Sequence, residues 1–227
     1  MRLHTCLLTF WKYSAVLALT AFILPPSASG AVALGVKLGT LGAGVDLTTR
    51  LASTLNVRAE FNAFDYSSSG THKEIDYSGK LKLATGGVLL DWHPGAEGFR
   101  FTAGAFFNKN ELEANGISNA GTYTINDRVY TAQQVGKLTA RADFQSLAPY
   151  AGLGFGHTIS DSHHWSFVFD LGVLFEGAPR LSVRSEGPLS NDPVFKSDLE
   201  AERMKIQKDV NNFRIYPVID FGFAYRF

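Results

Sequence analysis

The closing stretch FRIYPVIDFGFAYRF, residues 213–227, sorts its side chains by parity. Successive side chains of an extended strand point to opposite faces. Phe221, Phe223, Tyr225 and Phe227 therefore share one face, and Asp220, Gly222, Ala224 and Arg226 the other. Upstream, Ile215, Pro217 and Ile219 continue the apolar face, while Arg214, Tyr216 and Val218 continue the inner one. A strand of a soluble sandwich also alternates, but four successive large aromatics would be out of place beside water. The pattern fits a strand with lipid on one side and a polar interior on the other.

Two further segments repeat it. Trp165, Phe167, Phe169, Leu171, Val173 and Phe175 oppose Ser166, Val168, Asp170, Gly172, Leu174 and Glu176. Phe99, Phe101, Ala103, Ala105 and Phe107 oppose Arg100, Thr102, Gly104, Phe106 and Asn108. Segments of ten to twelve residues of this kind cross a bilayer when tilted.

The rest of the 227 residues is compatible with this reading. At the front, Arg2 and Lys12 precede an apolar run from Ala15 to Leu24, then Pro25, Pro26 and the small residues Ala28, Gly30 and Ala31. This is the layout of a secretory signal peptide, residues 1–30, cleaved after Gly30 or Ala31, with an uncleaved anchor as the alternative. Cleavage leaves residues 31–227 as one barrel domain and removes Cys6, and with it disulfide, iron–sulfur and zinc–thiolate chemistry. The mature chain would carry 19 Lys and Arg against 21 Asp and Glu, a balance that argues against nucleic acid as a partner. It contains no second apolar run long enough for a spanning helix, so entry into a membrane requires a closed barrel.

The other strands are less regular. Leu55, Val57, Ala59 and Phe61 form one apolar face, and Ile75, Tyr77, Leu81 and Leu83 are assigned to another. In the second, the apolar parity changes near Gly86 and Gly87, so that Val88, Leu90 and Trp92 take over, which suggests a glycine bulge. A similar change near Gln145 separates Leu138, Ala140, Ala142 and Phe144 from Leu147, Pro149 and Ala151 and suggests a second bulge. Short connections at Arg50–Thr54, Pro94–Gly98 and Ser160–His164 read as periplasmic turns. The longer Ser67–Glu74, 112–136 and 186–212 read as extracellular loops.

This count gives seven strands, whereas a bacterial barrel has an even number. The eighth comes from the mature N-terminus, where outward Leu34, Val36 and Leu38 change parity to Leu41, Ala43, Val45 and Leu47 across Gly39 and Thr40. A tight hairpin there predicts that change; one long bulged strand is the rival. The expected fold is thus an all-β, antiparallel, up-and-down transmembrane barrel of eight strands, with a short helix in the last extracellular loop. Ser197 and Glu200 supply a capping box for that helix over residues 197–210, followed by Leu199, Ile206 and Val210, with Glu202 able to pair with Lys205. It is a lid, a partner-binding helix, or a solvated element without a specific role. Thr122–Ile125, Asn126-Asp127 and Arg128–Tyr130 read as a small extracellular hairpin.

The inward positions gather both signs of charge. Lys37, Asp46, Arg58, Glu60 and Lys80 come from the first half, with Lys82 and Arg100. Arg141, Asp143, Asp170, Glu176, Arg214 and Asp220 come from the second. An eight-stranded interior is just wide enough for side chains to fill, so these groups form either a plug of ion pairs or the lining of a narrow conduit. His157 with Ser160, and His163 with His164, are the suggestive clusters for catalysis or metal binding, but no acidic partner or further ligand accompanies them and they read as turn residues. With no nucleotide, zinc-helix or calcium-loop motif, neither a cofactor nor an enzymatic role is expected.

The stretches VKLGTLGAGVDLT from Val36, GTYTIN from Gly121, LAPYAGLGFG from Leu147, FDLGVLFEG from Phe169 and FRIYPVIDFGFAYRF from Phe213 resemble a large group of small proteobacterial outer-membrane barrels. The helix with acidic residues before the closing strand is also similar to that group. The resemblance covers essentially the whole mature chain and implies an outer-membrane location, with no catalytic residues to carry over. More loosely, the chain is similar to ornithine-porin-type uptake barrels and to the transmembrane domain of OmpA, at the level of fold alone. The resemblance further implies that Phe223, Tyr225 and Phe227 are the signal read by the barrel assembly machinery. Outer-membrane lipid and lipopolysaccharide are the expected surroundings, and a monomer the expected state. Three functions are compatible with the sequence: a structural or surface-interaction barrel, a channel for small charged or zwitterionic solutes, and an enzyme assembled at the rim.

Overall fold

The computed structural model describes residues 31–227 apart from 73–74, 96–97, 119–120, 157–158 and 160–163. The signal-peptide reading, His157, Ser160 and His163 lie outside the described residues. Eight antiparallel strand segments close on themselves in the order β1 (Val32–Gly39), β2 (Gly42–Ala52), β3 (Leu55–His72), β4 (Ile75–Trp92), β5 (Phe99–Asn108), β10 (Leu147–Phe155), β11 (Trp165–Leu174) and β13 (Tyr216–Arg226), with β13 returning to β1. Closure satisfies every strand edge along the ring, which is what a chain of strands needs in hydrocarbon. Both ends of the described chain lie at one rim, where the Phe227 N–H donates to the Val32 carbonyl at 3.0 Å.

The eighth strand is the N-terminal hairpin arm. Gly39 pairs with Gly42 across Thr40 and Leu41, so the turn sits one residue later than the sequence suggests. Leu41 was assigned outward with the lipid-facing set; it is instead fully buried, tucked into the barrel mouth from the turn.

Four strands do not stop where the membrane does. β3 and β4 pair without interruption from Leu55 opposite Trp92 to His72 opposite Ile75. β6 (Glu111–Ser118) continues β5 along β4 in the same register, since Asn108 faces Thr85 and Glu111 faces Lys82. β9 (Leu138–Asp143) likewise precedes β10 along β5–β6, with Asp143 facing Glu111 and Leu147 facing Phe107. β12 (Arg180–Ser185) completes a five-stranded wall above one side of the barrel.

These registers correct both inferred bulges. No residue is gained in β4 at Gly86 and Gly87, and none in β9–β10 relative to β5–β6 at Gln145; the break at 144–146 faces an equal break at 108–110. Parity along the chain is kept, and it is the surroundings that exchange. Below, Arg58, Glu60 and Asn62 face inward; above, Phe64 and Tyr66 occupy that same inner face. Leu81, Leu83, Leu138, Ala140 and Ala142 are accordingly inward-facing, not outward as the sequence pattern implied, and Leu112, expected in a loop, lies on the same inner face.

The expected loop 112–136 is largely folded. It holds β6, the hairpin β7 (Thr122–Ile125) and β8 (Arg128–Thr131), and α1 (Ala132–Val135). Asn126 and Asp127 form the hairpin turn with φ of 49° and 63°, left-handed values that Asn and Asp tolerate. The loop 186–212 holds a 3₁₀ turn at Pro188–Asn191 and α2 (Pro193–Val210). α2 begins earlier than the expected 197–210, because Asp192 caps it, accepting from the Phe195 N–H at 2.8 Å, with Pro193 in the first position. Glu200, taken as part of the cap, instead pairs with Arg203 at 2.6 Å.

Candidate functional site: the barrel interior and its crown

Inward parity brings distant charges into one space. Arg58 sits at the centre, its Nη1 2.9 Å from Asp170 and its Nε 3.1 Å from Asp91. Arg100 donates to Asp170 at 2.7 Å and to the Gly156 carbonyl at 2.8 Å. Lys37 meets Glu60 at 2.7 Å, with Asp46 and Asp170 each at 3.8 Å. Neutral groups add to these pairs: Thr102 donates to Asp91 at 2.6 Å and Asn62 to Glu60 at 2.8 Å. Each charge buried this deeply needs such partners, since an isolated ion in a low-dielectric interior is costly by several kcal/mol. On β10 the wall comes so close that a Cβ at Gly154 would lie 2.5 Å from Arg100 Nε, so glycine there makes room for the guanidinium.

Nearer the crown the interior turns apolar. Leu41, Leu89, Phe106, Ala148, Tyr150, Leu174 and Val218 form one buried cluster, with the Phe106 and Tyr150 rings edge to face at 5.6 Å. Above it Glu176 accepts from Asn108 at 3.1 Å and Asn110 at 2.7 Å. The void between the ionic and apolar layers, lined by Lys37, Arg58, Glu60, Phe106, Tyr150 and Asp220 among others, admits no water-sized sphere.

Of the inward charges read from the sequence, Lys37, Asp46, Arg58, Glu60, Arg100, Asp170, Glu176 and Asp220 are buried in the interior. Lys80, Lys82, Arg141, Asp143 and Arg214 are not. The first four lie on the outer face of the crown, because the parity used to place them inside assumed bulges that do not exist. Arg214 lies exposed beyond the end of β13, with its Nε donating to the Asn211 carbonyl at 3.0 Å. Asp91 was overlooked, although its place between outward Leu90 and Trp92 marks it as inward. The apolar layer was also overlooked: its members come from five or more strands, and no local pattern links them.

The crown has its own small core. Ile125, Val135 and Phe195 are buried together against Tyr123, Tyr130 and Leu199, so the hairpin and α2 fold as one cap. Asp198 clasps them, accepting from Tyr130 Oη, Asn126 Nδ2 and Arg128 Nη1. The Tyr130 hydroxyl, then Asn126, hold the Asp198 carboxyl below the ordinary carboxylate range, and the same contact holds the Tyr130 phenol above its usual value. Along the free edge of β12, Gln207 accepts from the Leu181 N–H at 2.9 Å and donates to the Pro179 carbonyl at 2.8 Å, blocking the edge.

Outside, the lower barrel presents an apolar belt. Phe107, Phe167, Phe223 and Phe227 are all more than half exposed. At the rim with the chain ends, Trp92, Phe99, Phe101, Phe155, Trp165 and Tyr225 gather in ring contacts, among them Trp92 on Phe101 at 5.6 Å and Trp165 on Tyr225 at 5.0 Å. Such a belt edged by aromatics around a closed barrel is the surface of a protein in lipid. Two solved structures share the architecture, CarO2 and CarO of Acinetobacter baumannii. They are 18% and 21% identical, each at a TM-score of 0.57, and the match covers 87% of this chain and 98% of each of them. The chain is an eight-stranded outer-membrane β-barrel. No family model and no curated protein matches it. The barrel's likeness to CarO and CarO2 is therefore one of fold.

Proposed function

We propose that this barrel is a non-conducting outer-membrane protein of structural or surface-interaction type, whose working part is the crown. The observation that carries the reading is the filled interior, where the void beside Arg58 and Phe106 holds no space for water. Ion pairs and an aromatic layer fill this level of the interior, and a narrow channel needs a continuous polar path through it. Planar bilayer recordings on the refolded barrel test this: no current steps are expected above background. Reproducible conductance that responds to Arg58→Ala or Arg100→Ala would overturn the proposal in favour of a channel for small charged solutes.

A further inference from the structure

Above the lipid belt the outer face of the wall changes from apolar to ionic over two rows. In the uppermost apolar row, Phe107 faces Leu147; a transitional row with Ala63, Ala84 and Lys109 follows, and the row after it reads Asp65, Lys82, Glu111, Asp143 and Arg180 across five strands. The row beyond it reads Ser67, Lys80, Glu113, Arg141 and Ser182. Rows two residues apart on a tilted strand rise by about 5 Å along the membrane normal, so these two stand about 10 and 15 Å above the Phe107 row, at the level of the phosphates and sugars of a glycolipid headgroup.

Most charges on this face are not paired with each other. Arg141 engages Glu111 at 2.8 Å and Asp143 at 3.0 Å, and so neutralises two carboxylates. Lys80, Lys82, Arg180 and Arg184 have no side-chain partner among the described residues, and the carboxylates left over are Asp65 and Glu113. Between the cations the surface is grooved rather than flat. One hollow of about 310 Å³ is lined by Thr139, Ser182, Arg141 and Arg184, with the carboxylates Glu113 and Asp143 on its wall, Asp143 held by Arg141. Another of about 310 Å³ is lined by Ser67, Ser78 and Lys80 beside Asn115 and Glu113, the amide of Asn115 donating to the Glu113 carboxylate.

We infer that this outer face of the crown binds the phosphorylated sugar headgroup of an outer-leaflet glycolipid, of the lipopolysaccharide type. It stands above the lipid-facing belt on the same wall, β3 and β4 running through both, so a lipid packed on the belt places its headgroup here. Lysine and arginine match phosphate, arginine through two parallel N–H donors, while hydroxyl and amide side chains match sugar hydroxyls. The inference rests on the crown being the working surface and names what it touches.

The test uses the full refolded barrel in zwitterionic detergent, with bound lipid counted by native mass spectrometry. The probes are short-chain lipopolysaccharide, its dephosphorylated form, phosphatidylcholine and inorganic phosphate. The expected result is retention of the phosphorylated glycolipid alone, weakened about tenfold or more in the combined Lys80→Gln, Lys82→Gln, Arg180→Gln, Arg184→Gln variant. Lys208→Gln, on α2, should bind as the parent does. If the fourfold variant does not fold to a heat-modifiable barrel, the Lys80/Lys82 and Arg180/Arg184 pairs carry the same comparison. Undiminished binding by the folded variants, equal binding of the dephosphorylated lipid, or inorganic phosphate bound as tightly as the glycolipid would overturn the inference. Conductance in a bilayer would refute the non-conducting reading and leave this result standing.

Discussion

The lower and upper halves of β3 and β4 are one continuous ladder, yet their faces are opposites. Below, Val57, Ala59 and Phe61 meet lipid while Arg58, Glu60 and Asn62 meet one another inside; above, Asp65, Ser67 and Ser69 are on the outer face and Phe64 and Tyr66 on the inner one, each about half exposed. Neither strand gains a residue between the halves. The alternation is a property of the chain, and its phase is a property of the solvent on each side. Lipid outside forces polar side chains inward, and water outside permits the ordinary arrangement with the apolar side within. A change of apolar parity in a strand with unbroken register therefore marks the height at which the barrel leaves the hydrocarbon.

The strongest way to break this comparison is to remove a charge from each half. Arg58→Met leaves Asp91 and Asp170 buried without their main partner and should destabilise the barrel by about 3–5 kcal/mol. Arg141→Met removes a half-exposed arginine with two carboxylate partners, and should cost about 1 kcal/mol or less. Urea unfolding followed by the mobility of folded and unfolded forms reads both. Equal losses would mean that the two halves do not differ in how they treat charge.

Adding a charge to the same outer face gives a smaller and more direct test. Val88→Lys puts an ammonium against hydrocarbon towards the middle of the belt and should cost about 2–4 kcal/mol. Ser69→Lys, on the outer face of the partner strand in the crown, should stay within about 0.5 kcal/mol. Matching costs at both sites would place the lipid boundary elsewhere.

The barrel was legible in the sequence wherever a strand meets one solvent throughout. The run from Trp165 and the closing run from Phe213 alternate cleanly because β11 and β13 stay within the membrane. The acidic and basic members of the ionic layer followed from the same parity, as with Arg58, Arg100 and Asp170. Lys80 and Lys82 were misplaced because β4 passes through the boundary, and a phase change read along one strand is indistinguishable from a bulge. Only the neighbour's register separates the two. The cap of hairpin and α2 was half legible: the turn at Asn126 and Asp127 announces itself, whereas Asp198 joins partners about 70 residues away that no local pattern connects.

The smallest expected effect sharpens the comparison from the crown side, where ionisation rather than lipid sets the limits. Asp198 titrates below the ordinary carboxylate range because the Tyr130 hydroxyl, Asn126 and Arg128 favour its charged form. A depressed folded-state pKa contributes stability above the ordinary value near 4 and loses it as the pH falls below that value. Tyr130 titrates above its ordinary range because it donates to that carboxylate. Its contribution is present below pH about 10 and is lost as the pH rises through the higher folded-state value. The clasp between hairpin and helix should therefore hold across neutral pH and loosen at both extremes while the barrel below stays closed. Hydrogen exchange at 122–131 and 193–210, compared with exchange in β11, measures this without unfolding the barrel. Tyr130→Phe should abolish the alkaline limb and move the acid limb upward, because Asp198 loses the donor that most favours its charge; Asp198→Asn should flatten the acid limb. Opening at either extreme that neither substitution alters would mean that the cap is held by the packing of Ile125, Val135 and Phe195 alone.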